Sequence, residues 1–317
     1  MLEPLRKNSF LVLGRAGMDL YADPPGAQAQ HAEKFFASLG GSAGNTAAGI
    51  AKLGGHASLI SAVSEDSVGR FTLNELGKYG VATDHVRQVG GELRTSLAVV
   101  ETRLEDFQSV IYRNNAADFA IVEPQIEQID WSRFGGLIVS GTALAAEPSC
   151  QSTLMAIEKA GTAGLTTILD VDYRPYSWPS AAAATAVCGK AASLCSVLVG
   201  NDEEFDVLAG SIGEGETYAR QAVESSAQVA IYKRGQHGSR TYTRDGAFDV
   251  GVFATKALKP VGAGEKRTRT VEDTPEGYWA TSVVEVRTPV GPVGRLDGGR
   301  RLAERGVRFI HLYHRGW

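Results

Sequence analysis

Two short stretches in the first fifth of the chain carry residue types that bind hydroxyl-rich ligands. Asp19 follows an apolar run, and a carboxylate just past the carboxyl end of a strand can accept hydrogen bonds from two hydroxyl groups. Gly40 and Gly41 allow close approach of the backbone, and the amide of Asn45, near the start of a helical stretch, can both donate and accept. Taken singly, a lone Asp is more often a turn residue, and the second stretch is equally a glycine turn with a helix cap.

Three further stretches have the residue types that bind a phosphate group or its accompanying metal ion. Asn201 and Glu204 lie one helical turn apart after an apolar run; such a pair can hold Mg²⁺ through water, and it equally describes the capped start of an acidic helix. The loop with Gly235 and Gly238 and the Gly-Ala-Gly-Glu stretch at 262–265 can each turn N–H groups toward an anion. Neither loop has the Lys-Ser/Thr pair that a Walker phosphate loop requires.

Composition and charge argue against several other classes of function. The net charge of −4 and the pI of about 5.9 give no reason to expect a nucleic-acid partner or an anionic membrane. His311 and His314 lie three residues apart, but no third metal ligand is near them in sequence. The sparse cysteines, at 150, 188 and 195, predict reduced thiols in a cytoplasmic protein, and the apolar run near the N-terminus is too short for an export signal or a membrane span.

The elements that position these residues alternate along the chain. Apolar, β-branched runs predict strands at 9–16, 57–63, 136–141, 166–172, 196–201 and 227–235. Helical periodicity predicts helices at 44–55, 67–81, 149–161 and 214–226. This alternation implies a mostly parallel sheet that is covered by helices on both faces.

Two segments interrupt the alternation. Residues 94–103 and 107–115 predict two strands joined by the polar turn Leu-Glu-Asp, with no helix between them, and a hairpin outside a parallel core is often a lid. Residues 239–253 predict a second hairpin that turns at Asp245-Gly246. We expect the lid strands to come from about 15–38 and 94–115.

Taken in order, these stretches resemble the ribokinase/PfkB family of carbohydrate kinases. The run from Gly40 to Val81 is similar to that family's N-terminal signature, 201–205 to its Asn-x-x-Glu motif, and 261–264 to the start of its C-terminal Gly-Ala-Gly-Asp signature. The resemblance covers roughly 8–265. It implies a sugar-kinase domain at 1–265, an α/β three-layer sandwich with a mostly parallel central sheet and a small β lid, and phosphoryl transfer from ATP to a sugar hydroxyl.

The resemblance also implies roles for particular residues. The family's sugar-binding positions correspond to Asp19, Gly40, Gly41 and Asn45. Its Mg·ATP positions correspond to Asn201, Glu204, Lys233, Gly235 and Gly238, with Glu204 reaching Mg²⁺ through water. Its phosphoryl-stabilising loop corresponds to Gly262, Ala263 and Gly264. Glu265 takes the place of the family's catalytic Asp, the base that accepts the proton of the sugar hydroxyl.

Three stretches around Arg15, Arg113 and 169–178 resemble the branch of the family that phosphorylates keto-sugar acids. An Arg can form a charge-assisted bond to the substrate carboxylate; Arg113 is the first candidate and Arg15 the second. The implied substrate is 5-dehydro-2-deoxy-D-gluconate of inositol catabolism. The open alternatives are another sugar kinase of the family, such as a 2-keto-3-deoxygluconate kinase or a fructokinase. A homodimer through the lid is expected by analogy with the family alone.

The family pattern stops at Glu265. Residues 266–317 contain few strong helix formers and resemble none of the family's C-terminal helices. Two explanations stay open, a divergent tail and a foreign or frameshifted end. The second would make the chain a non-catalytic, sugar-binding remnant of the family.

Overall fold

The computed structural model describes residues 7–102 and 108–251. Within these ranges the strands are β1 (Ser9–Leu13), β2 (Gly17–Asp23), β3 (Lys34–Gly40), β4 (His56–Ser64), β5 (Val86–Val89), β6 (Leu97–Val100), β7 (Ser109–Tyr112), β8 (Gly136–Ser140), β9 (Thr166–Asp170), β10 (Val197–Asn201), β11 (Val229–Lys233), β12 (Ser239–Thr243) and β13 (Gly246–Val250). The helices are α1 (Ser42–Lys52), α2 (Ser67–Lys78), α3 (Glu123–Glu127), α4 (Ser149–Thr162), α5 (Ala181–Leu194), α6 (Asp202–Ala209) and α7 (Gly215–Ser225). None of these helices is long and apolar enough to cross a lipid bilayer.

Nine of the described strands form one sheet, in the order β13-β12-β11-β10-β9-β8-β1-β4-β5. The pairs from β11 through β1 to β5 are parallel, and β12 and β13 add antiparallel at one edge. The predicted mostly parallel sheet is therefore confirmed. The strand order reverses at β1, because β4 follows on one side and β8 on the other. Ligands of open α/β sheets bind in the crevice at the carboxyl ends of the strands at such a reversal.

Helices cover both faces of this sheet because successive side chains of a central strand point to opposite faces. Leu11 and Leu13 of β1 belong to a large buried cluster that includes residues of α3, α4, α5, α6 and α7. Val12, between them, belongs to a second cluster with residues of α1 and α2. Strands buried on both faces are apolar throughout, which is why the apolar runs located them from sequence.

A second sheet, with the order β3-β2-β6-β7, forms from the two segments that were expected to supply the lid. We call this sheet the lid. Its register pairs Asp19 with Ser38 and Ala98 with Ile111, so these side chains share one face. Asp19 and Ser38 are buried, so this face looks toward the body of the protein.

The predicted hairpin at the sheet edge is also present, with a small difference in its turn. β12 and β13 pair directly from Thr243 and Gly246, so the two connecting residues are Arg244 and Asp245, one position earlier than predicted. Gly246 has a φ of +136°, a value that glycine adopts without strain. It therefore opens β13 instead of closing the turn.

Candidate active site

Asp19 of β2 lies at the base of the lid, packed against the end of β3. A Cβ atom on Gly40 would lie 2.0 Å from Asp19 Oδ1, so only glycine leaves room for this carboxylate. Tyr21 Oη donates a hydrogen bond to Asp19 Oδ2 over 3.3 Å. Burial raises the pKa of Asp19 to about 6, although the positive charge of Arg15 and the Tyr21 hydrogen bond act in the opposite direction. The carboxylate is thus held in a site where its charge is poorly solvated.

Gly41 and Asn45 build the adjoining wall at the start of α1. Gly41 is the N-cap residue with a φ of +88°, and a Cβ on it would lie 2.4 Å from the carbonyl oxygen of Arg15. Asn45 is a helical residue within α1, so its interpretation as the helix cap is wrong. Its side chain is only 3% exposed, and neither its Nδ2 nor its Oδ1 has a hydrogen-bond partner among the described residues. A buried amide without partners is unfavourable, and a ligand hydroxyl would relieve that cost.

Arg15 follows β1 at the point where the strand order reverses. Its Nη1 donates to Ser96 Oγ over 3.2 Å, and its charge acts on both Asp19 and Asp172. Its carbonyl oxygen accepts a hydrogen bond from the backbone N–H of Gly44. The arginine backbone is thereby fixed against the first turn of α1, the turn that carries Asn45.

Asp172 lies beyond β9 with an unusual φ of +40° and completes this side of the crevice. Its Oδ2 accepts a hydrogen bond from Ser140 Oγ over 2.9 Å, and its Oδ1 accepts from Arg174 Nη2 over 2.6 Å. Burial acts to raise the pKa of Asp172, but the charge of Arg174 and the hydroxyls of Ser42 and Ser140 outweigh it and hold the pKa below its usual range. Asp172 therefore stays ionised.

Arg113, at the end of β7, connects the lid to the body. Its Nη2 donates to Asp118 Oδ2 over 2.5 Å and to the Thr142 carbonyl oxygen over 3.1 Å. Its Nη1 donates to Ser177 Oγ over 3.3 Å, and its guanidinium carbon lies 4.2 Å from the ring centroid of Phe119. Most of its hydrogen-bonding capacity is therefore already used by the protein.

Asn201 and Glu204 form a reciprocal cap at the start of α6. Asn201 Oδ1 accepts from the Glu204 backbone N–H over 2.8 Å, and Glu204 Oε2 accepts from the Asn201 N–H over 2.7 Å. The helix-cap interpretation of this pair is therefore confirmed. It leaves a metal-binding role open, because the carboxylate still lies beyond the carboxyl end of β10.

Lys233 forms an ion pair with the Glu204 carboxylate of this cap. Its Nζ lies 3.6 Å from Glu204 Oε2 and 3.6 Å from Asp170 Oδ1. Burial raises the pKa of Glu204, and the charge of Lys233 acts against that rise. In residues 7–102 and 108–251, no three His, Cys, Asp or Glu side chains are grouped so as to hold a metal ion by themselves.

The loop after β11 contains both predicted glycines in the left-handed region. Gly235 has a φ of +55° and Gly238 a φ of +78°. A Cβ on Gly238 would lie 1.9 Å from the Val250 carbonyl oxygen, so this glycine is required by the close approach of the β13 end. The predictions for Gly262–Glu265 and for the tail at 266–317 lie outside the described residues.

The structure brings Asp19, Gly40, Gly41 and Arg15 together and carries Asn45 in the first turn of the adjoining helix α1, whereas Arg113 is engaged in contacts of its own. Sequence reasoning did not single out Asp118, Asp170, Asp172 and Ser140 as site residues. Asp170, Asp172 and Ser140 lie at or beyond the carboxyl ends of β9 and β8. The rule that ligands bind at those ends would have identified them. Asp118 carried no such signal.

Comparisons with known proteins identify the family of this chain. The profile of the pfkB family carbohydrate kinases matches residues 7–265. A 5-dehydro-2-deoxygluconokinase of Photobacterium profundum is 36% identical over 269 residues, which cover 83% of this chain and 81% of that protein. A protein of the same name from Geobacillus kaustophilus is 33% identical over 261 residues, 81% of this chain and 78% of its own length.

A solved structure shows the same architecture. The crystal structure of a fructokinase with bound ATP from Xylella fastidiosa superposes with a TM-score of 0.67 over 77% of each chain, at 23% sequence identity. At this level of identity the likeness is evidence for the fold alone.

Proposed function

Because the chain belongs to the pfkB family of carbohydrate kinases, enzymes that transfer a phosphoryl group to a sugar, we propose that its substrate is a keto-sugar acid. The specific substrate we propose is 5-dehydro-2-deoxy-D-gluconate of inositol catabolism, the sugar acid in the names of the two relatives. The observation that carries a sugar site is the buried Asn45 amide, which lacks partners among the described residues. Asn45 directly follows Gly44, whose backbone N–H donates to the Arg15 carbonyl oxygen just beyond β1, where the sheet order reverses.

We propose that the sugar hydroxyls bind to Asp19 and Asn45, with Gly40 and Gly41 leaving room for them. In its ionised form Asp19 accepts hydrogen bonds from two hydroxyls, and the Asn45 amide offers one donor and one acceptor group. Both side chains are buried. Hydrogen bonds that they make are therefore shielded from competing water.

We propose that ATP lies across the carboxyl ends of β10 and β11. The supporting features are the cap at Asn201 and Glu204, the ammonium group of Lys233, and the glycine loop with Gly235 and Gly238. The carboxylates of Asp170 and Glu204 offer the oxygen ligands that hydrated Mg²⁺ prefers, so the residues fit the ion. When bound, Mg²⁺ would offset negative charge on the phosphates.

The catalytic assignments rest on the sequence resemblance alone. We propose that the N–H groups of Gly262, Ala263 and Gly264 stabilise the transferring phosphoryl group, and that Glu265 accepts the proton of the sugar hydroxyl. Glu265 stands where the family has Asp, and its extra methylene moves the carboxylate by about 1 Å, a misplacement that can cost ~100-fold in rate.

The direct test is ADP release by the full chain with Mg·ATP and a panel of sugars. We expect release with 5-dehydro-2-deoxygluconate, and a rise when Glu265 is replaced by Asp. Faster turnover of 2-keto-3-deoxygluconate or fructose would refute the proposed substrate. If the sugar acid raises the melting temperature while no sugar gives ADP above background, the chain is the non-catalytic remnant of the family.

We further propose that two copies pair through the outer face of the lid. This face, opposite to Asp19, carries Met18, Leu20, Leu97, Val99, Val110 and Tyr112. Val110 is 51% exposed and Tyr112 59% exposed, and contiguous exposed apolar surface often marks a binding site for protein. We expect replacement of Val110 and Tyr112 by Asp to convert a dimer to a monomer in light scattering coupled to gel filtration. A wild-type monomer at micromolar concentration would refute the pairing.

We also propose a cytoplasmic location. The three cysteines are buried as free thiols, a state that a reducing compartment maintains.

A further inference from the structure

Recognition of an acidic sugar requires a guanidinium group whose donors are not already engaged by the protein. Three arginines lie near the crevice between the lid and the body, namely Arg15, Arg113 and Arg174. A carboxylate binds bidentately to one of two edges of a guanidinium, either the Nε and Nη2 edge or the Nη1 and Nη2 edge. Both edges need a hydrogen atom of Nη2. The partners of each Nη2 therefore decide which arginine is available.

Arg113 has no complete edge left. Its Nη2 donates to Asp118 Oδ2 and to the Thr142 carbonyl oxygen, which accounts for both of its hydrogen atoms. Its Nη1 donates one further hydrogen bond to Ser177. Its charge is matched by Asp118, and the side chains of this ion pair are 7% and 2% exposed. A substrate carboxylate would have to displace Asp118 or the Thr142 carbonyl oxygen to gain bidentate contact.

Arg174 is committed to a carboxylate of the protein itself. Its Nη2 donates to Asp172 Oδ1 over 2.6 Å. Asp172 is buried and also accepts a hydrogen bond from Ser140. The charge of Arg174 is therefore already balanced inside the protein.

Arg15 differs from both. Within the described residues its guanidinium makes one hydrogen bond, from Nη1 to the uncharged hydroxyl of Ser96. The positive charge of Arg15 acts on the carboxylates of Asp19 and Asp172. The ion-pair partner of Asp172, however, is Arg174. The Nε and Nη2 edge of the Arg15 guanidinium is thus left for a ligand. The side chain is 8% exposed, so a carboxylate bound there would be largely shielded from water.

Building on the proposed function, we propose that Arg15 receives the substrate carboxylate and sets the preference for an acidic sugar. Arg113, held by Asp118, instead fastens the lid to the loops that follow β8 and β9. Arg15 thus becomes the first candidate for the substrate carboxylate and Arg113 is set aside, the reverse of the order predicted from the sequence. The location of Arg15 supports this assignment, because it lies two residues beyond β1, the central strand at which the sheet order reverses. Its backbone contacts the same helix start that carries Asn45.

The test compares Arg15→Met and Arg113→Met in the full chain, with the acid sugar and with fructose as a neutral ketose. We expect Arg15→Met to raise KM for the acid sugar by roughly tenfold to a hundredfold more than it raises KM for fructose, the usual scale for the loss of a charge-assisted pair. Arg113→Met should lower kcat for both sugars alike and should lower the melting temperature. Arg15→Lys should recover part of the acid preference, because it retains the charge without the paired donors.

Arg70→Met is the matched control, since Arg70 is exposed on α2 and its Nη1 donates to the Glu65 carbonyl oxygen instead of to a residue of the candidate site. An acid-selective KM increase in Arg113→Met together with none in Arg15→Met would overturn the assignment. Absence of wild-type turnover and binding with every sugar acid would instead count against the proposed function. The two failures are therefore distinguishable.

Discussion

Replacement of Asp19 by Asn should make the ligand-free protein more stable near neutral pH while removing a group that binds the sugar. The pKa of Asp19 is raised from 3.8 to about 6 because the carboxylate is buried on the face of the lid that looks toward the body of the protein. Ionising it in the folded state is therefore less favourable than in the unfolded chain. Asn is nearly the same size and carries no charge, so it removes this cost.

The magnitude follows from linkage. A group whose pKa is raised on folding lowers stability as the pH rises from its unfolded pKa through its folded pKa. At about 1.36 kcal/mol per pKa unit, the shift of Asp19 corresponds to a loss of about 3 kcal/mol that is complete above about pH 7. Near pH 4 the carboxylate is mostly protonated when folded, and the loss is about 0.5 kcal/mol.

The assay is urea unfolding of the wild type and Asp19→Asn at intervals from about pH 4 to about pH 8, the range that brackets the raised pKa. We expect the free energy of unfolding of the variant to exceed that of the wild type by a margin that grows with pH, because all other titrating groups cancel in the difference. A Tyr21→Phe variant is the control, since it removes the hydrogen bond to Asp19 and leaves the carboxylate. A margin that is constant with pH would refute the reasoning.

Two further predictions concern buried polar groups. Lys233→Met should lower the free energy of unfolding by about 3–5 kcal/mol, because it leaves Asp170 and Glu204 without their shared cation. The exposed Lys159→Met should change it by less than about 0.5 kcal/mol, and equal effects in denaturant titrations would contradict the buried pair. Asn45→Leu should raise the melting temperature of the ligand-free protein, because it removes unpaired polar atoms, and should abolish the shift that sugar produces. A sugar-induced shift that survives would exclude Asn45 from the site.

The fold was predictable because the central strands are apolar on both faces. Runs such as the one around Leu11 and Leu137 are buried from both sides, and such runs stand out without any knowledge of their partners. The start of α6 was equally visible, because the Asn201 and Glu204 cap depends on two residues three apart. Interactions of this kind join residues that are close in the sequence, so a short sequence pattern is enough to predict them.

The arrangement inside the site was less predictable because it depends on contacts between distant segments. Asn45 has the same sequence neighbours whether its amide is paired or not, and only the packed structure shows that it lacks partners among the described residues. Arg113 was identified as a ligand of the substrate because its type fits a carboxylate. Its bonds to Thr142 and Ser177 connect residues 29 and 64 positions apart, and no sequence pattern reports them.

The reciprocal cap at α6 limits what the Asn-x-x-Glu spacing can indicate about the activity of a related sequence. Because both side chains bond to the backbone at the helix start, the spacing contributes to folding whether or not a nucleotide ever binds. A pseudoenzyme would retain it for stability alone. Its presence therefore indicates a capped helix start, while catalytic competence in such chains has to be judged from the base position and from measured turnover.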